Sequence, residues 1–169
     1  MRDKKVTFLV QAAAIAAVYV VLTLIFHPFS YGEIQVRISE ALTILPFFTP
    51  AAIPGLFVGC IIANIMGGCI LPDIIFGSVA TLLGAVGSYL IAKGAGKFRI
   101  PAKFLVPIPP IAANTIIVPL VLRFGYLIDL PIPLMMLTVG IGEVISCGIL
   151  GLILLTALTP HAEKIFVSP

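Results

Sequence analysis

VTFLVQAAAIAAVYVVLTLIF, residues 6–26, contains no charged side chain and is preceded by Arg2, Lys4 and Lys5. A helix needs about 20 apolar residues to cross the ~30 Å hydrocarbon core of a bilayer, so this run alone is long enough to span one. It is too long for the apolar region of a signal peptide, and no convincing cleavage site of small residues accompanies it. The expectation is a retained spanning helix whose basic end lies in the cytoplasm.

The remainder of the chain repeats that pattern. Of 169 residues, 60% are hydrophobic and 10% charged, and the mean hydropathy is +1.22. Soluble domains are about one quarter charged, so soluble, fibrous and disordered classes are excluded. The formal charge of +3 does not indicate nucleic acid, because the basic residues are not interleaved with aromatics along one surface. They cluster instead as Arg2, Lys4 and Lys5, then Lys93, Lys97, Arg99 and Lys103, then Lys164, between apolar runs. The runs divide at charges, Gly and Pro into six candidate helices with approximate limits 6–27, 31–48, 51–67, 72–92, 104–123 and 132–158. Six crossings place all three basic clusters on one side. The fold expected is therefore an all-α integral membrane protein, a single domain over 1–169 forming a six-transmembrane-helix bundle with both termini cytoplasmic.

The second and third candidates are the least regular. The second carries Glu33, Arg37 and Glu40, and the third is short, so either is tilted, partly re-entrant or shielded from lipid by neighbours. Pro46, Pro50 and Pro54 punctuate the hinge between them. Ser30 and Glu33, flanked by Phe29 and Ile34, fit a capping box with a hydrophobic staple at the start of the second. No internal repeat is convincing.

Polar residues inside apolar runs are the functional candidates, because their burial in a bilayer is costly. They are Glu40, Asn64, Asp73, Asn114 and Glu143, with Arg37 close by. At a rise of about 1.5 Å per residue, Glu40 lies roughly 10 Å below the outer start of its helix, and Asn114 and Glu143 lie nearer the midplane. Five polar residues from five helices then occupy the outer half of the bundle, as a pocket open to the exterior requires. Each has a structural alternative: Asp73 after Pro72 as a helix cap, Arg37 with Glu40 as an ion pair, Asn64 and Asn114 as interhelical glue. Glu143, after Gly140-Ile141-Gly142, is the hardest to explain by structure alone. Carboxylates accept paired N–H groups and stabilise cations, and amides both donate and accept, so a planar heterocycle or a small amine suits the set better than an anion. Phe29, Tyr31 or Phe76 would supply stacking.

Ala12 with Ala16, and Ala13 with Ala17, are spaced four apart and permit close helix approach, either within the bundle or to a separate membrane subunit. Cys60, Cys69 and Cys147 form no CxxC pair and have no His partners at ligand spacing, so they read as packing residues and no metal or cofactor is expected. The chain has no phosphate-binding Gly-Lys-Ser/Thr loop and no HExxH or GxSxG motif, so neither ATP hydrolysis nor hydrolase chemistry is expected of it.

The stretch VRISEALTILPFFTPAAIPGL, residues 36–56, continuing through Gly59 to Asn64, closely resembles the QueT family, and LPDIIFGS (71–78) and Gly142-Glu143 look similar too. The resemblance implies a non-catalytic S component of an energy-coupling factor (ECF) transporter in the plasma membrane. It would capture a queuosine precursor such as preQ1 from outside and associate with a transmembrane coupling subunit and two ATPase subunits. In that family context the small residues Ala12, Ala13, Ala16 and Ala17 match a coupling contact, and Pro28 to Gly32 a gating loop. Glu143 and Glu40 would take the guanine-like edge and the aminomethyl cation. Asn64 and Asn114 would read the remaining ring groups, and Asp73 would compete for the cation. The alternatives are an S component for riboflavin, thiamine or a similar vitamin, or a small membrane enzyme or channel-forming subunit.

Overall fold

A computed structural model describes residues 3–26, 36–95 and 101–166. The proposed capping box and gating loop, Phe29, Tyr31, Lys97 and Arg99 lie outside these residues. The described chain is all helical. Helix α1 (Lys4–Ile25) is followed by a 3-10 helix (Ile38–Phe47), then α2 (Ala52–Met66) and α3 (Leu71–Lys93). A short α4 (Ala102–Leu105) precedes α5 (Ile108–Phe124), and α6 (Ile132–Glu143) runs through a π-helical segment (Val144–Leu150) into α7 (Gly151–Leu158) and a final turn, α8 (Ala162–Ile165).

Four of these stretches are long and apolar enough to cross a membrane: Lys4–Ile25, Leu71–Lys93, Ala102–Phe124 and Ile132–Ile165. Their ends follow local chemistry. Asp3 caps α1 by accepting from the Lys5 amide at 3.0 Å. Pro72 and Asp73 open α3 and Lys93 closes it, so Pro occupies a position with no helical partner to lose and both charges complement the helix dipole.

The second candidate differs from the expected spanning α-helix. It is a 3-10 helix of 10 residues, which at ~2.0 Å per residue covers only about 20 Å. Pro46 lies inside it and offers no N–H, and the Thr43 hydroxyl approaches the Glu40 carbonyl at 2.6 Å, competing with an α-helical ladder. Every residue from Ser39 to Pro46 is buried. Contacts with α1, α2, α3, the π segment and α7 surround this element, which makes it the central post of the bundle and shields its carboxylate from lipid. The expected continuous helices over 104–123 and 132–158 are also interrupted, the first at Val106–Pro107 and the second by π geometry immediately after Glu143.

Around the post, α1 packs on α2, α2 on α3, α3 on α5 and α5 on α6. Two seams depend on glycine. A Cβ at Gly55 would lie 2.7 Å from the Ala12 carbonyl oxygen, and one at Gly59 would lie 3.1 Å from the Ala16 Cα. A Cβ at Gly84 would lie 2.6 Å from the Pro110 Cα. The first seam divides the two alanine pairs: Ala12 and Ala16 line the α1–α2 contact inside the bundle, whereas Ala13 and Ala17 are exposed. The physical reason is angular, since the two pairs are one residue and about 100° apart around the helix.

Candidate functional site

Glu40, in the first turn of the 3-10 helix, is completely buried. Its Oε1 accepts a hydrogen bond from the Tyr19 hydroxyl of α1, and Thr81 Oγ1 of α3 lies 3.1 Å from the same oxygen. Asn114 Nδ2 of α5 reaches Oε2 at 3.5 Å. A buried ion needs such donors, because an unpaired charge in a low-dielectric interior is prohibitively costly. Glu143, at the end of α6, is also buried, and its Oε2 accepts from the Cys147 thiol at 3.2 Å. One ligand atom each from Glu40, Glu143 and Cys147 all lie within 4.8 Å of one another. Two carboxylates and a sulfur at that separation suit a shared cation or a group rich in N–H donors.

A second polar group continues from the first. Arg37 donates to Asn64 Oδ1, and Asn64 Nδ2 lies 3.4 Å from the Asp73 carbonyl oxygen and 3.6 Å from Cys60 Sγ. Cys60 also lies 3.4 Å from Thr81 Oγ1, which joins this group to Glu40. Glycine at position 77 lets the two strands of contact approach, since a Cβ there would lie 3.0 Å from Asp73 Oδ1 and 3.4 Å from Asn64 Nδ2. At the N-terminal end of α3 the Tyr126 hydroxyl donates to Asp73 Oδ2 at 3.0 Å and receives the Ile70 amide at 3.4 Å. Partial burial first, and then the Asp73 carboxylate, push the Tyr126 phenol above its ordinary range. Arg123 braces the same turn by pairing with Asp129 at 2.6 Å and donating to the Ile128 carbonyl at 3.1 Å.

All six polar candidates thus fall on one connected path, with Glu40, Asn114 and Glu143 at its inner end and Arg37, Asn64 and Asp73 toward the α5–α6 turn. Asp73 is not only a helix-terminal carboxylate, because Tyr126 binds it across the fold. A shallow groove of about 560 Å³ lined by Arg123, Asp129 and Leu130 to Pro133 lies at that turn, apart from the inner carboxylates. Sequence reasoning does not single out Tyr19, Thr81 or Tyr126 as site neighbours, and it reads Cys147 only as a packing residue. Cys147 was accessible to it, being four residues after Glu143 and so on the same helix face. Tyr19 continues the Ala12–Ala16 stripe. Thr81 and Tyr126 carry no comparable local signal.

The family model described as QueT transporter matches residues 9–160. The chain belongs to the QueT transporter family. This QueT-family chain is also 36% identical over 85 residues to a queuosine precursor transporter QueT of Lactococcus lactis subsp. cremoris (strain MG1363). The aligned stretch covers 49% of this chain and 50% of that relative. No solved structure matches the chain. With four helices of membrane-spanning length among the described residues, this QueT-family chain is a multi-pass membrane protein.

Proposed function

We propose that this chain is the substrate-capturing S component of an ECF importer in the plasma membrane, and that its substrate is a deazaguanine precursor of queuosine of the preQ1 type. The observation that carries this reading is the convergence of the Glu40 and Glu143 carboxylates beside Asn114 in the middle of the bundle. PreQ1 presents adjacent N–H donors along a guanine-like edge, which suit a carboxylate acceptor, and a protonated aminomethyl group, which suits a second. Arg37 and Asn64 form the path toward the α5–α6 turn, and Asp73 stands at its end. Both termini lie in the cytoplasm in this reading, in agreement with the basic clusters.

Uptake against a gradient requires ATP hydrolysis by separate subunits reached through a transmembrane coupling protein. The outer face of α1 suits that contact. Ala13 and Ala17 are exposed on it, and α1 is less buried within the bundle than α3.

Calorimetric titration of the purified chain with preQ1, preQ0, guanine, riboflavin and thiamine tests the reading. Tight preQ1 binding that Glu143→Gln weakens at least tenfold is the expected result. A folded protein that binds no deazapurine overturns the substrate assignment.

A further inference from the structure

We propose that Cys147 sets the selectivity of the buried site by holding the Glu143 carboxylate through a bond weak enough for the ligand to displace. The inference rests on Glu40, Asn114 and Glu143 forming the ligand site as proposed above. The two carboxylates are held unequally. Glu40 is held by the Tyr19 hydroxyl, by the Thr81 hydroxyl, whose proton the Gly77 carbonyl at 3.3 Å also shares, and by the Asn114 amide on its other oxygen. Glu143 has the Cys147 thiol on Oε2 and shares the Asn114 amide with Glu40, so no hydroxyl holds it. A thiol is a weak donor. Its single proton is moreover divided between two acceptors, because Cys147 Sγ also lies 3.4 Å from the Glu40 carbonyl oxygen.

The position of the thiol is fixed on both sides. Thr43 Oγ1 of the 3-10 helix lies 3.4 Å from Sγ, and Cys147 follows Glu143 by four residues, so the sulfur bridges α6 to the central post. A carboxylate buried this deeply needs a donor while no ligand is bound. A hydroxyl here would satisfy it nearly as well as a ligand N–H, leaving little gain on binding. The thiol satisfies it poorly, so a ligand with paired N–H donors gains by replacing the S–H, and one without them does not. Glu40 therefore acts as the firmly held carboxyl group and Glu143 as the oxygen pair that reads the ligand.

The test uses the full chain in lipid nanodiscs, with preQ1 as the probe, and reads the infrared S–H stretch together with affinity. The band lost in Cys147→Ala identifies Cys147 among the three cysteines. It is expected to move to higher frequency when preQ1 binds, as a hydrogen bond is released. Cys147→Ser is expected to weaken preQ1 binding about tenfold, while Cys147→Ala binds as tightly as the native chain or more so. An S–H band unmoved by bound preQ1, or equal weakening by Ser and Ala as simple packing would give, overturns the proposal. Ligand-free Glu143→Gln protein must shift the same band and needs no ligand. A shift there with no preQ1 binding sinks the substrate reading alone, and no shift sinks the thiol assignment.

Discussion

Tyr19 shows how much a single hydroxyl contributes when its partner is a buried carboxylate. It is fully buried, spans from α1 to the 3-10 helix, and supplies Glu40 with its phenolic donor. Removing it leaves a buried carboxyl group short of one donor, so Tyr19→Phe is expected to lower stability by about 1–3 kcal/mol, the scale for an unsatisfied buried polar group. Denaturation of the reconstituted chain checks this, and an unchanged midpoint would show that the bond contributes nothing net. Tyr126 gives a pH prediction with a definite sign. Because its phenol is raised above the ordinary value of ~10, its contribution is present in full below that value and is lost as pH rises through the folded one. A spectrophotometric titration of native protein minus Tyr126→Phe is expected to show a tyrosine transition above ~10. A transition at or below ~10 would mean that Tyr126 is neither partly buried nor bonded to Asp73 in solution. At this scale the sequence reveals which polar residues are expensive, because a charge in an apolar run is visible without coordinates. It does not reveal their partners: Glu40 meets Tyr19 and Thr81 across separations of 21 and 41 residues.

Elements were legible where periodic apolar length decides the matter, as in α1 and α3, and illegible where backbone geometry departs from the α-helix. Pro46 announces a break but not a 3-10 helix surrounded on all sides. Nothing in Glu143-Val144-Ile145-Ser146 announces a π segment, a geometry that occurs often beside functional groups. The glycine seams illustrate the same limit, since glycine in a membrane helix signals close approach without naming the partner. Their energetics are testable by a contrast. A methyl at Gly84 would press on the Pro110 backbone at 2.6 Å, which has little room to yield, whereas one at Gly140 would meet the Thr115 hydroxyl at 3.4 Å, an ordinary contact. Gly84→Ala is therefore expected to destabilise by about 1–3 kcal/mol through overpacking. Gly140→Ala is expected to be neutral or stabilising, because alanine is favoured over glycine in helices by up to ~1 kcal/mol. Thermal unfolding of the two variants in one lipid composition separates them, and equal losses would refute the seam argument.

For the whole molecule, the proposed role requires the buried Glu40–Glu143 group to be coupled to an outer face of the same chain. Helix α1 belongs to both regions. Its inner face carries Ala12, Ala16 and Tyr19, the first two against the glycines of α2 and the last bonded to Glu40. Its outer face carries Ala13 and Ala17 among exposed valines at 10, 18 and 21. The two alanine pairs, indistinguishable in sequence spacing, therefore carry opposite expectations. Ala16→Leu forces a large side chain into the contact with Gly59 and is expected to destabilise the fold and with it ligand binding. Ala13→Trp and Ala17→Trp place bulk only on the outside. If that face docks a coupling subunit, they are expected to leave preQ1 affinity within about twofold while reducing uptake in cells at least tenfold, because a partner helix that relies on small residues is then held away. Paired measurements of binding by the isolated chain and uptake by intact cells decide it. Native uptake by both tryptophan variants would remove the outer face of α1 from the coupling contact, whereas loss of binding along with uptake would show that bulk on this face disturbs the fold itself.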